Sequence, residues 1–363
     1  MQRSRLKLVV VSPDLALGGA QRVLLQLAQR WVEAGCAVEF VALKGGGQLR
    51  DELPSGVNLT ELVDEPGLHG PGLALSAFPR LVSHLRAARP DGVLSSVTGC
   101  NLLVCAAHLA SGSAACLVLR EATHAPAEGA FARRLLMRAL YPRADALVAV
   151  SKGIAGELIR LGLAPASVHT VANPVDAERL QRLATSGEHV PTTIRARYLV
   201  AVGRLIPEKD YGCLLRAFAM SDLAATHDLV IVGGGKLLGE LTALAEALGI
   251  GSRVHWLGAL ANPYAIMAAA ELYVLSSRHE GYPNVLLEAL ALGVRVVATD
   301  CRSGPRQLLQ DGRYGLLVPV ADPAELAEAM RRALGGPAVD ASTLLAEHSP
   351  QLIAARYLAL FAT

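Results

Sequence analysis

The stretch ELYVLSSRHEGYPNVLLEALALG, residues 271–293, decides how the chain is read. A short β-rich apolar run, Glu271–Ser276, gives way to a polar loop, Arg278-His279-Glu280-Gly281-Tyr282-Pro283, and then to an apolar helical pattern starting near Asn284. Strand, loop and helix in that order make half of a parallel βαβ unit. Pro283 suits the first turn of the helix, and Asn284 brings free backbone amides with it. Ligands of open parallel sheets sit beyond the carboxyl ends of the strands, so this loop is where chemistry is expected. Glu280 lies at the mouth of the helix and Glu288 about one turn in, so both carboxylates can face one ligand. Phosphates would meet the amides, and sugar hydroxyls the carboxylates. The plainer reading is two solvated helix glutamates. The Gly-Tyr-Pro-Asn loop between them favours the ligand.

Outward from this segment the same alternation recurs. Strands are expected at Lys7–Val11, Ala37–Leu43, Gly92–Ser95, Ala115–Leu119, Ala146–Val150 and Val168–Val171, with helices such as Ala20–Ala34 and Phe131–Tyr141 between them. Residues 177–197 interrupt the pattern with charges, a proline and little apolar content, and read as a short helix plus linker. A second set follows at Tyr198–Val202, Asp228–Val232, Arg253–Leu257, Glu271–Ser276, Val294–Thr299 and Gly315–Val318. The expectation is therefore an α/β chain of two Rossmann-like domains with parallel sheets. Residues 1–172 form the first, 173–197 a connection and 198–349 the second, with a terminal helix in 350–363.

Bulk properties agree. A chain of 363 residues that is 52% hydrophobic can bury two cores. Aromatics make up 4%, so the cores are aliphatic. A net charge of +2 gives no nucleic-acid footprint, so no nucleic-acid partner is expected. The six cysteines contain no C-x-x-C pair and read as buried free thiols. The basic N-terminus precedes an apolar run of only Leu6 to Val11, too short for a signal-peptide core. Ser111-Gly112-Ser113 divides the longest uncharged stretch, Asn101 to Leu119, into helix-sized and strand-sized pieces, so no transmembrane helix is expected. A cytoplasmic protein follows as the default.

Other strand ends carry weaker signals. After the first strand, Gly18 and Gly19 open a helix and can let amides approach an anion; a plain turn is the alternative. Gly203-Arg204 follows the first strand of the second set, with Lys209 five residues on, and two cations beside a helix start suit a diphosphate. The alternative is a surface ion pair with Glu208 or Asp210. Gly233-Gly234-Gly235 resembles a phosphate turn, but Lys236 is followed by Leu237, so it is not a P-loop. The next strand ends in Gly258 and not in an acidic residue, which argues against NAD.

At 271–293 the chain resembles the retaining glycosyltransferases of family 4, which have the GT-B fold. Their E-x7-E mark matches Glu280 and Glu288, and SSRHEGYPNVLLEALALGVRVVATDCRSGPRQLL is similar to the family's donor site throughout. The Gly18-Gly19 turn, VAVSKGIAGEL, Asn173-Pro174-Val175-Asp176 and VGRLIPEKD follow in the family's order. The resemblance implies sheets facing across a cleft and a C-terminal helix that returns to the first domain. It implies that Arg204 and Lys209 hold the diphosphate, that Glu288 binds the ribose and that Glu280 contacts the sugar. The backbone from Gly281 through Tyr282, Pro283, Asn284, Val285 and Leu286 would cradle phosphate and sugar. Gly18, Gly19, Gly203 and Gly233 would line the donor, and Leu257 would flank the base. No metal and no cofactor beyond the nucleotide sugar is implied, since cations and amides neutralise the charge. Glu280 would lie on the hydroxyl side of the sugar, not behind its anomeric carbon.

Two departures concern the donor. Ser95-Ser96-Val97-Thr98-Gly99-Cys100-Asn101 lacks the histidine that many members place near the sugar's 6-hydroxyl, and Thr98 or Asn101 would substitute. Gln307 stands where related sequences often have Glu. On the acceptor side, Arg120, Glu121 and His124 end a strand; each either faces the acceptor or takes part in a structural ion pair. Arg133, Arg134, Arg138 and Arg143 surround Phe131, Leu135, Leu136 and Leu140. Such a helix either lies on anionic lipid of the inner membrane or covers the sheet with a solvated face. The expected activity is transfer from a nucleotide sugar, UDP-linked by preference, to a glycan or polyprenyl-linked glycan in surface polysaccharide assembly. The alternatives are an epimerase or phosphorylase on the same fold, or a non-catalytic binding subunit.

Overall fold

A computed structural model describes residues 5–65, 67–123, 130–186, 190–337 and 339–362. The chain divides into two compact units, Met1–Pro174 with His348–Thr363, and Val175–Glu347.

Unit 1 is built on seven parallel strands: β1 Lys7–Ser12, β2 Ala37–Lys44, β3 Val57–Val63, β4 Gly92–Ser96, β5 Cys116–Glu121, β6 Ala146–Ala149 and β7 Val168–Thr170. Their spatial order is β3-β2-β1-β4-β5-β6-β7. Six of these are legible in the hydrophobic pattern. The seventh, β3, is an edge strand of composition VNLTELV, only partly buried, so polar residues alternate with its apolar ones. The interior strands are almost continuously apolar, as double-sided cover requires: Leu8 to Val11 and Leu117 to Leu119 are all buried.

The core of unit 1 closes with residues from the far end of the chain. Trp31, on the helix Gly19–Glu33, meets Tyr357 and Phe361 edge-on at centroid distances of 6.3 and 5.9 Å. Its indole N–H donates to Ala354 O at 3.1 Å. The helix Pro350–Leu360 is thus part of unit 1's interior. Gly92 at the start of β4 is small because the Phe361 ring sits on it: a Cβ there would lie 2.5 Å from Phe361 Cδ1.

Unit 2 carries six parallel strands: β8 Tyr198–Val202, β9 Asp228–Val232, β10 Val254–Trp256, β11 Leu272–Leu275, β12 Arg295–Thr299 and β13 Leu316–Val318, in the order β10-β9-β8-β11-β12-β13. All six strands expected from the sequence are present. The stretch read as a connection differs. The unit boundary falls at Pro174, and the helix Ala177–Ser186 belongs to unit 2. It is held there by Gln181 Nε2 donating to Ala291 O and by Asn262 Nδ2 donating to Leu183 O. A single buried leucine, Leu180, anchors it, which explains its weak hydrophobic signal.

In both sheets the strand order reverses once, between β1 and β4 and between β8 and β11. Chain leaving neighbouring strands at such a point turns away on opposite sides and leaves a crevice at their carboxyl ends. The Gly18–Gly19 turn follows β1, and the loop of Glu280 follows β11.

Candidate active site

The switch point of unit 2 is formed by two loops, 203–210 after β8 and 276–283 after β11. They are tied together by backbone and side chain. Arg278 N donates to Glu208 O at 2.8 Å, Ser276 Oγ donates to Lys209 O at 2.8 Å, and Arg278 Nε donates to Asp210 Oδ2 at 2.7 Å. Asp210 occupies the left-handed region, φ 43°, and caps the helix Tyr211–Met220 by accepting from Cys213 N. With both loops fixed, Lys209 Nζ stands 2.5 Å from Glu280 Oε1, and Ser277 Oγ donates to the same oxygen at 2.7 Å. The lysine and glutamate side chains are only 20% and 10% exposed. The partner of Lys209 is therefore Glu280, and Asp210 belongs to Arg278. Arg204 is exposed, and its guanidinium makes no hydrogen bond or ion pair among the described residues.

Glu280 lies in the loop after β11, and Glu288 lies eight residues on in the helix that follows. Glu288 is half-buried on the helix Asn284–Ala291. The hydroxyl of Tyr273, on β11, is buried with no hydrogen-bond partner among the described residues. Burial, then Tyr211, Glu280 and Glu288, hold it well above the ordinary tyrosine range. On the opposite side, Gly304, φ 102°, approaches Pro283 so closely that a Cβ would lie 2.8 Å from its Cδ. Ser303 Oγ donates to Glu280 O at 3.3 Å.

Within the expected cradle the amides are unequal. Asn284 N donates to Tyr282 O and Leu286 N to Pro283 O, both at 3.0 Å, and Pro283 has no N–H. The side chains of Tyr282, Pro283 and Leu286 are buried, while Gly281, Asn284 and Val285 are half-buried. Leu257, also half-buried, follows β10.

The glycine run after β9 is explained by backbone crossing. Gly233 N donates to Gly258 O at 2.7 Å and Gly203 N to Val232 O at 2.9 Å, so neither amide is directed at a phosphate. A Cβ on Gly235 would lie 2.4 Å from Leu205 O. These glycines let the loops after β8, β9 and β10 stack. The phosphate-turn reading of Gly233 gives way to that of a packing glycine.

In unit 1, Gly18 is extended, φ −163°, and Gly19 starts a 15-residue helix. Asp14 Oδ1 fixes the turn by accepting from Ala16 N and Gln21 Nε2. The side chains offered to an acceptor are turned inward. Arg120 is fully buried, donating to Ser96 Oγ and to Asn173 Oδ1, each at 2.6 Å. Glu121 accepts from Thr98 Oγ1 and Asn101 Nδ2, each at 2.8 Å, and from Tyr141 OH. Asn101 also accepts from Ser95 Oγ and donates to Arg120 O. Burial raises the Glu121 pKa, and its hydrogen-bond donors oppose that push. Thr98, Asn101, Arg120 and Glu121 thus form one buried hydrogen-bond network at the ends of β4 and β5, with no ion pair of Arg120 or Glu121 among the described residues. His124 lies outside the described residues. The residues that sequence reasoning missed are Ser277, Arg278, Ser303 and Tyr273. The Ser276-Ser277 pair at the strand end was the available signal.

Two family models match the chain, one described as Glycosyl transferases group 1 over residues 196–335 and one as Glycosyltransferase Family 4 over residues 17–179. The chain belongs to the family 4 (group 1) glycosyltransferases. The chain is 36% identical over 188 residues to the N-acetylgalactosamine-N,N'-diacetylbacillosaminyl-diphospho-undecaprenol 4-alpha-N-acetylgalactosaminyltransferase of Campylobacter jejuni. That match covers 52% of the chain and 50% of the relative, so it spans about half of the relative's length. It is 25% identical over 354 residues to the lipopolysaccharide core biosynthesis glycosyltransferase LpsE of Rhizobium meliloti, covering 95% of the chain and 96% of the relative. Anabaena Alr3699/HepE in complex with UDP and glucose superposes with a TM-score of 0.80 at 18% identity, over 99% of this chain and 100% of that one. The shared architecture is the GT-B fold.

Proposed function

We propose that the protein is a retaining glycosyltransferase that moves a sugar from a UDP-linked donor to a glycan or lipid-linked glycan, in bacterial surface polysaccharide or glycoconjugate assembly on the cytoplasmic side. The observation that carries this reading is the Lys209–Glu280 pair at the switch point of unit 2. An uncommitted cation, Arg204, and a half-buried one, Lys209, suit a diphosphate without metal. Glu288 suits a ribose hydroxyl and Glu280 the sugar hydroxyls. The UDP and glucose in the Anabaena neighbour and the diphospho-undecaprenol in the name of the Campylobacter relative support donor and acceptor classes.

The chemistry follows from charge. The bond from the anomeric carbon to the β-phosphate oxygen breaks, and Lys209 and Arg204 stabilise the charge that develops on the diphosphate. The acceptor oxygen bonds to the same face of that carbon, and its proton passes to the departing phosphate oxygen. Glu280 already accepts from Lys209 and Ser277, which suits it to hold a hydroxyl and not to attack carbon.

The test is thermal unfolding with UDP, GDP, ADP and NAD, each with EDTA. Ligand at about 100 times its dissociation constant adds roughly 2.7 kcal/mol, a shift of several degrees. UDP should stabilise without metal, and Glu288→Ala should abolish the shift. A shift with NAD alone, or with none of the four, would overturn the assignment.

A further inference from the structure

The helices Gly70–Ala88, Thr98–Ser111 and Ala130–Leu140 pack side by side in unit 1, the first against the second and the second against the third. Arg86 donates to Ser111 O and Ala110 O, and Cys105 Sγ to Leu140 O, across those two seams. Their 44 residues include five arginines and no Asp or Glu. At the chain's overall frequency, 32 acids in 363 residues, about four would be expected there. Arg80, Arg86, Arg133, Arg134 and Arg138 make no ion pair among the described residues. Arg80, Arg86 and Arg138 donate to backbone carbonyls, which leaves their charge uncompensated.

The same three helices carry five of the eleven large apolar side chains exposed among the described residues. Phe131, Leu135 and Leu136 are 83%, 59% and 50% exposed, and Leu75 and Leu109 are 78% and 46% exposed. An ordinary sheet-covering helix buries its apolar stripe and shows water its charges. Ala130–Leu140 shows water Phe131, Leu135 and Leu136 as well as Arg134 and Arg138. At about 100° per residue, Phe131, Leu135 and Leu136 share one side, with Arg134 and Arg138 along its flank. Met137, on the other side, is buried.

We infer that this three-helix face lies on an anionic lipid surface, with Phe131, Leu135 and Leu136 entering the acyl boundary and the arginines meeting headgroup phosphates. The combination of arginine with exposed Phe and Leu is what an interfacial helix needs. A nucleic acid would reward the arginines and leave the leucines in water. No described helix is long and apolar enough to cross a membrane, so contact of this kind is peripheral. The inference stands apart from the donor-site reading, since lipid binding is measured without donor or acceptor.

The experiment is co-sedimentation of the full chain with vesicles of phosphatidylcholine alone, or of phosphatidylcholine with about one third phosphatidylglycerol. Binding to the anionic vesicles should be at least about tenfold tighter and should weaken with salt. The variant F131S/L135S/L136S should lose at least about tenfold on anionic vesicles while keeping its unfolding midpoint, since the three side chains are exposed. In a second measurement, brominated lipid should quench F131W beyond the parent protein. Equal binding to both vesicle types, a triple variant that binds like the parent, or absence of the added quenching would overturn the inference. So would duplex DNA bound as tightly as anionic vesicles and equally by the triple variant, which would mark a plain polyanion surface. An intact UDP shift alongside failed vesicle binding would leave the donor site standing and remove only the lipid face.

Discussion

A Cβ placed on Gly233 would lie 1.9 Å from the carbonyl oxygen of Gly203. The two loops are in backbone contact, and Gly233 has φ 148°, outside the range a side chain prefers. Gly233→Ala must push the loop after β9 off the loop that carries Arg204 and Lys209. The expected cost is about 2–4 kcal/mol, read as a lower urea midpoint, with the UDP shift weakened as well. Gly239→Ala is the matched control. A Cβ there meets nothing within 4 Å, and the site is helical, so about 0.5 kcal/mol of added stability is expected.

Lys209 and Glu280 should behave as a coupled pair. Removing either leaves the other partly buried and unpaired, so each single substitution should destabilise, and the double substitution should cost less than the sum. A double-mutant cycle with Lys209→Met and Glu280→Gln, read by urea unfolding, should return a coupling of about 1–3 kcal/mol. Glu280→Gln should also slow transfer by about 100-fold or more, since a hydroxyl held by a carboxylate in the transition state is lost. Additive unfolding costs would show that the pair contributes nothing to the fold.

Glu121 gives a pH dependence of defined sign. Burial, its largest influence, raises its pKa above the ordinary value of 4.5. The folded state then binds more proton than the unfolded one over that interval, and stability falls as pH rises from about 4.5 through the raised pKa. A glutamine there can still accept from Tyr141 and Asn101 through its one carbonyl oxygen, can donate from its Nε2 to the Thr98 hydroxyl, and carries no charge. Glu121→Gln should therefore flatten this limb of the stability–pH curve, measured by urea midpoints from pH 4 to pH 8. Parallel curves for parent and variant would refute the assignment.

Phe361→Ala removes an aromatic edge contact with Trp31 and empties the space over Gly92. A loss of about 3 kcal/mol is expected, and with it a fall of several degrees in the unfolding midpoint of unit 1. Trp31 is fully buried, so its fluorescence should move to longer wavelength in this variant.

What could be read in the sequence depended on how local the determinant was. Glu280, Glu288 and the helix start between them lie within nine residues, so the strand-loop-helix order around them was legible from local sequence. The pairing of Lys209 with Glu280 joins residues 71 apart across neighbouring strands, and charge pattern near Lys209 pointed instead to Glu208 or Asp210. Arg120 and Glu121 end a strand, where ligands are expected, yet side-chain direction there is set by tertiary partners, Asn173 and Tyr141 among them, that no local pattern reveals. Strand β3 was hidden because an edge strand need not be apolar on both faces.

The contact of Trp31 with Tyr357 and Phe361 also governs the order in which the molecule can be completed during synthesis. Unit 2 is continuous in sequence and can close as soon as Glu347 has left the ribosome. Unit 1 has its seven strands by Thr170 but lacks the helix that seals Trp31 until residues beyond His348 appear. At about 5–20 residues per second that delay is roughly 10–35 seconds. For that time the nascent first unit carries an open aromatic groove, the stage at which the chain is most exposed to aggregation and to chaperone capture.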